Sequence, residues 1–167
     1  MTNLQTVVGT SIVVDAPVEH AFAVFTEDMG SWWPQDHHIL QAPLARMVFE
    51  PKVGGEIYDV GTDGSECHWA RVLAYEPPHR IVFSWEISMQ WQIEADPAKA
   101  SEVEVRFVAD GSARTRVELE HRHIDRHGEG WESMRDAVGS DGGWKVGLRA
   151  FERRLAQEQV ANGAPPH

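Results

Sequence analysis

The stretch VELEHRHIDRH, Val117 to His127, sets His121, His123 and His127 at the end of a run that alternates apolar and polar residues. Imidazoles spaced this closely fit three chemistries: a metal site, a general base, or the hydrogen-bonded polar end of a buried strand. Regular alternation turns Val117, Leu119 and His121 to one face, with His123 following them, and Glu118, Glu120 and Arg122 to the other. A zinc site needs three or four converging ligands, and His-x-His on one strand supplies two. Asp125, His127, Cys67 or His68 would have to complete it, and none stands at a metal-ligand spacing. No metal and no cofactor are expected, and the polar strand end is the preferred reading. His121 and His123 are the candidate catalytic bases, because an imidazole titrates close to neutral pH. Either would need an orienting carboxylate; Asp125 is near in sequence, while strand parity turns Glu86 away from Ile81, Phe83 and Trp85.

Other reactive groups are sparse. There is no Gly-x-Ser-x-Gly elbow, and Cys67 within a strand reads as a small buried thiol. Gly54-Gly55 and Gly142-Gly143 lack the lysine of a phosphate-binding loop; the second pair suits a turn into a terminal helix or a close approach to the sheet. The tryptophans carry more information. Trp33, Trp69, Trp85, Trp91, Trp131 and Trp144 can each bury on the order of 200 Å², enough to wall a flat apolar site as well as to fill a core. The expected ligand-binding set is Trp33, His68, Phe83, Trp85, Leu119, His121, Trp131, Trp144 and Leu148. Arg71 is a further orienting group, although its shared parity with Trp69 leaves their common face open to a solvent-facing reading.

These residues must be positioned by strands and a helix. A first strand is expected over Thr6 to Val14, then a helix with Asp15 as cap and Pro17 in its first turn, carrying a Val18, Phe22, Phe25 stripe. A short helix or turn holds Trp32-Trp33-Pro34, one ring inward and the other at an opening or the surface. Six period-two runs follow, near Ala45 to Glu50, Gly55 to Val60, Cys67 to Glu76, Arg80 to Ile87, Ser101 to Ala109 and Arg114 to His121. Their connectors are rich in Gly and Pro, and Met89 to Lys99 forms the longest loop. A short helix over Trp131 to Val138 precedes a final helix beginning near Ser140 or Asp141, with Trp144, Leu148, Phe151 and Leu155 on one face. The order is that of an α+β protein: a curved seven-stranded antiparallel sheet wrapped around a long C-terminal helix, with two short helices after the first strand. Residues 1–158 are expected to form one domain and 159–167 a disordered tail.

The chain has 167 residues, 15 basic against 26 acidic, for a formal charge of −11. That balance disfavours nucleic acid and anionic membranes as partners, and no run reaches the roughly 18 apolar residues of a membrane span. The N-terminus lacks the basic start and cleavage site of a secretory signal, and a lone cysteine suits a reducing compartment, so the expected location is cytoplasmic. An exposed edge strand would allow a homodimer.

The segments APVEHAFAVFTEDMGSWWP, FEPKVGGEIYDV, RVLAYEPPHRIVFSW and VELEHRHIDRHGEGWESMRDAVGSDGGWKVGLRAFERRLA resemble the START-like (SRPBCC) superfamily, and within it the bacterial branch named after the activator of heat-shock protein 90 ATPase homologue. FVADG and EHRHIDRHG are also similar to enediyne self-sacrifice resistance proteins. The resemblance implies a helix-grip fold and a hydrophobic cavity between sheet and terminal helix that takes an aromatic or polyketide-like molecule, with binding expected rather than turnover. It also implies three alternatives: a cyclase or hydrolase using a pocket histidine, a chaperone partner in a stress response, and antibiotic resistance by self-sacrifice. Eukaryotic chaperone activators join this domain to a separate chaperone-binding domain, for which 167 residues leave no room.

Overall fold

A computed structural model describes residues 6–34 and 42–163. Seven antiparallel strands form one sheet: β1 (Val8–Val14), β2 (Leu44–Phe49), β3 (Glu56–Gly61), β4 (Glu66–Glu76), β5 (Arg80–Trp85), β6 (Ser101–Ala109) and β7 (Thr115–Arg122). Their spatial order is β1-β7-β6-β5-β4-β3-β2. The chain therefore crosses from one edge of the sheet to the other between β1 and β2, and α1 (Val18–Glu27) makes part of that crossing. Helix α1 begins at Val18 with Pro17, rather than Asp15, at the cap position, and the Pro17 carbonyl accepts from Ala21 N–H at 2.9 Å. A proline there already has the fixed φ that a helix start requires.

Register shifts at Leu44/Arg46, Ile57/Tyr58 and Val72/Ala74 interrupt the β2–β3, β3–β4 and β4–β5 ladders. Such bulges bend a sheet, and the concave face they help create holds α2 (Trp131–Gly139) and α3 (Trp144–Gly163) together with α1. The expected stripe of Trp144, Leu148, Phe151 and Leu155 is buried throughout. Two boundaries differ from expectation. Helix α3 starts at Trp144 rather than near Ser140 or Asp141, because residues 140–143 turn back on α2: Gly143 N–H donates to the Ser140 carbonyl at 3.0 Å, and a Cβ on Gly143 would lie 2.2 Å from the Val138 carbonyl oxygen. Helix α3 also runs on to Gly163, past the domain end expected at residue 158, while 164–167 lie outside the described residues.

On the outer face of the sheet, Arg80 and Arg122 both bind Glu104, and Arg122 and Arg126 both bind Glu102. Burial disfavours the charge on Glu104, but the hydrogen bonds from Arg80 and Arg122 outweigh it and hold its carboxyl below the usual range. The two faces of β7 thus have opposite character: Val117, Leu119 and His121 are buried, while Arg116, Glu118, Glu120 and Arg122 face outward. No helix of the described residues is long and apolar enough to cross a membrane.

Candidate functional site

A cavity of about 360 Å³ opens between the concave sheet face and the α2–α3 corner. The sheet contributes Asp59 from β3, Trp69 from β4 and Trp85 from β5, with Ile87 just beyond it. Trp33 and Pro34 close one side, and Ala137, Val138, Gly142, Gly143, Trp144 and Gly147 form the helical wall. Trp91 stands at the mouth, 46% exposed, in contrast to the buried Trp33, Trp69, Trp85 and Trp144. The indoles meet edge to face or tilted: Trp33 lies 5.4 Å from Trp69 and 5.8 Å from Trp144, and Trp85 lies 5.7 Å from Trp69 and 5.4 Å from Trp144.

Three local devices make this wall. Tyr58 pairs with His68 and Ile57 with Ala70, so Trp69 is the extra residue of a bulge. That insertion breaks the alternation and turns Trp69 inward. Along α3, Gly147 leaves space where a side chain would stand, one helical turn before the buried Phe151. At the mouth, the hairpin closed by Ser88 N–H to Gln92 O at 2.7 Å and Trp91 N–H to Ser88 O at 2.9 Å forces Trp91 to φ 60°. A bulky residue in this left-handed region is strained.

The polar atoms of the wall are few. Asp59 is buried and its Oδ1 accepts from Trp69 Nε1 at 3.2 Å. Trp144 Nε1 donates to His121 Nδ1 at 3.1 Å. An indole N–H can only donate, so His121 Nδ1 is the unprotonated nitrogen and its Nε2–H points to Ser101 Oγ, 2.8 Å away. Ser101 Oγ also lies 2.7 Å from His127 Nε2, and the other ring nitrogen of His127 is Nδ1. That nitrogen is buried with no hydrogen-bond partner among the described residues, and Trp85 Nε1 is the same. Burial, and to a smaller extent the neighbouring His127, lowers the His121 pKa to about 3; burial lowers that of His127 against the pull of Glu94. The chain of four side chains is therefore neutral at physiological pH and fixes the edge of the Trp144 indole.

The residues expected from sequence divide accordingly. Trp33, Trp85 and Trp144 line the cavity. His121 lies behind that wall, bonded at both ring nitrogens, and presents no free nitrogen to act as a base. His123 does not follow it inward: β7 ends at Arg122, and His123 turns out at φ 59°, exposed. The orienting partner of His121 is the hydroxyl of Ser101 rather than a carboxylate; Glu86 instead accepts from Ser84 Oγ at 2.6 Å. His68 lies on the other side of the sheet from the cavity, between Glu56 at 2.7 Å and Glu66 at 2.9 Å, stacked on Tyr58. Partial burial opposes its charge, but the bonds to Glu66 and Glu56 outweigh that and raise its pKa. Phe83, Leu119 and Leu148 are core residues that do not line the cavity, and Trp131 is half-buried under Arg135, whose guanidinium carbon lies 5.2 Å from the ring centre. Arg71 is exposed. Cys67 is half-buried, and burial followed by the Asp59 charge pushes its thiol up to about 11. Among the described residues no three His, Cys, Asp or Glu side chains gather as metal ligands. Asp59 is a cavity residue outside the set expected from sequence, although its parity with the apolar Ile57 places a carboxylate on the inner face.

A family model described as activator of Hsp90 ATPase homolog 1-like protein matches residues 15–156. The chain belongs to this family. Its START-like helix-grip fold is shared with many solved structures. Among them is the anthrahydroquino-gamma-pyrone synthase Txn09, solved as a complex, 42% identical over 89% of this chain and 96% of that one, with a TM-score of 0.64. The self-sacrificing resistance protein CalC from Micromonospora echinospora is 31% identical over 93% of this chain and 97% of its own, with a TM-score of 0.65. Protein NE0264 from Nitrosomonas europaea, 15% identical with a TM-score of 0.68 over 95% of this chain and 99% of its own, shares the fold. Among curated proteins none matches the chain.

Proposed function

We propose that this family member takes a flat, polycyclic aromatic molecule of polyketide type into the cavity under α3. The observation that carries the reading is the wall itself: Trp33, Trp69, Trp85, Trp91 and Trp144 surround about 360 Å³, with the Asp59 carboxylate among them. That volume suits a small ligand, since such pockets run from roughly 300 to 1,000 Å³, and indole faces and edges stack well on fused aromatic rings. The similarity to Txn09, whose name is that of an anthrahydroquino-gamma-pyrone synthase, supports the same ligand class. The test is titration with 1,8-dihydroxyanthraquinone while tryptophan fluorescence is recorded. Saturable quenching is expected, weakened at least tenfold in Trp33→Ala with the circular dichroism spectrum retained. Quenching that rises linearly without saturation would sink the reading.

Asp59 favours a second, catalytic reading. A ligand hydroxyl placed on this buried carboxylate can lose its proton and become a nucleophile for ring closure. An ortho-hydroxyaryl ynone is a suitable probe, because it closes to a fused γ-pyrone without change of composition: the phenol oxygen bonds to the alkyne carbon and the proton ends on the neighbouring carbon. Asp59→Asn is expected to keep the affinity and slow the closure by about 10²–10⁴-fold. Equal rates with Asn and Asp would leave binding as the only role.

A further inference from the structure

Helix α3 carries, in its first turn, a glycine that neither its backbone nor its neighbours require. Gly147 is buried and lines the cavity. It lies within the helix and is not one of the positive-φ glycines. Alanine would therefore take its place without strain, and would hold the helix better because it loses less backbone freedom on folding.

Two nearby glycines have reasons that Gly147 lacks. A Cβ on Gly143 would lie 2.2 Å from the Val138 carbonyl oxygen, and one on Gly139 would lie 3.2 Å from Val8 Cγ2. Outside its own helix, a Cβ on Gly147 would meet only Trp32 Cζ3 at 3.9 Å and Trp144 Cε3 at 4.0 Å among the described residues. Both are ordinary van der Waals separations. Protein interiors are close-packed, so a buried position with this little around it is underpacked, and the cavity it borders is the space left over. The opposite wall cannot move in to fill that space, because Trp33, Trp69, Trp85 and Trp144 are braced on one another at 5.4–5.8 Å.

We infer that Gly147 is a specificity determinant that sets the upper size of the ligand: the side chain missing here admits a tricyclic ring system that a longer residue would exclude. The inference rests on the cavity reading proposed above and adds the size of the molecule taken up. At about 360 Å³ the cavity stands near the lower end of small-molecule pockets, so one aliphatic side chain removes a large share of it. The helix gives up stability at Gly147 for that room, the trade expected where function rather than folding chooses a residue.

The decisive experiment measures stability and size selection in the same variants. Urea midpoints are compared for wild type, Gly147→Ala and Gly147→Leu, and each protein is titrated with 1,8-dihydroxyanthraquinone, of three rings, and 1-naphthol, of two. Gly147→Ala is expected to raise the midpoint by about 0.3–0.5 M. Gly147→Leu should weaken the tricycle by about tenfold or more, while 1-naphthol stays within about threefold of wild type. A lower midpoint in Gly147→Ala would show that the fold requires the glycine and would overturn the assignment. Tricycle affinity unchanged in a folded Gly147→Leu would overturn it too, as would an equal loss for both probes, which marks a damaged wall rather than a size limit. Wild type that binds neither probe would remove the cavity reading itself, and the assignment with it, whatever the midpoints show.

Discussion

The concave face of the sheet carries two aromatic clusters built differently. At one, Phe22, Phe25, Phe107 and Phe151 pack edge to face with centroids 5.1–5.3 Å apart and fill the space between α1, the sheet and α3. At the other, Trp33, Trp69, Trp85 and Trp144 make similar contacts around a void. Phenyl rings have no hydrogen-bonding demand and can be compressed until they interlock. Each indole has an edge that requires an acceptor, so the orientations of Trp69 and Trp144 answer to Asp59 and His121 as well as to packing. Gly147 then leaves the helical wall without a side chain at this point. The lesson is that a filled core and a lined cavity can share one apolar face, separated by ring chemistry and one missing side chain.

The contrast can be broken at its strongest point first. Phe25→Ala should cost about 3–5 kcal/mol, the range for emptying a fully buried aromatic site, seen as a large fall in the urea midpoint. Truncations at the open cluster should cost less, because those rings already face a void. A smaller effect is expected from pH. The pKa values of both His121 and His127 are lowered in the folded protein from near 6.5 when unfolded, so their contribution is complete above about pH 6.5 and is lost as pH falls below it, for His121 toward about 3. Urea midpoints should fall between pH 7 and 5, where Glu104 remains ionised, and His121→Gln should flatten that slope; a slope unchanged in the variant would contradict the neutral chain. His68 works in the opposite direction, its raised pKa contributing below 6.5 and fading as pH rises, but it is a surface pair of small weight. The smallest change in stability should come from Trp91→Gly. Relief of the left-handed strain, about 1 kcal/mol, and the extra freedom of glycine in the unfolded chain nearly cancel. The midpoint should therefore stay within about 1 kcal/mol of wild type while affinity for the anthraquinone probe drops, which would mark Trp91 as kept for the ligand rather than for the fold.

Much of this architecture was legible in the residues. Val117, Leu119 and His121 face inward as period two requires, and Trp144, Leu148, Phe151 and Leu155 form the buried stripe of α3 that helical spacing predicts. Alternation failed at β4. Period two puts His68 in the site and leaves Trp69 open to solvent, whereas the bulge at Trp69 reverses them. A bulge depends on how two strands match in register, and neither strand announces it alone. The turn at His123 failed for a similar reason, since a positive φ at a non-glycine residue has no signature in the sequence.

Periodicity and turn chemistry are local, repeat along the chain and report which face each residue shows to apolar surroundings. For that reason the sequence by itself determined the seven strands, the terminal helix, the outward charges and the abundance of indole. Hydrogen-bond partners and voids arise between segments far apart in the chain: Ser101 joins His121 to His127, Asp59 takes the Trp69 N–H, and Trp85 is left without an acceptor among the described residues. Those were decided only when the sheet bent around α3, because an indole edge is satisfied or orphaned by what stands within about 3 Å of it, and that is a property of the packed structure.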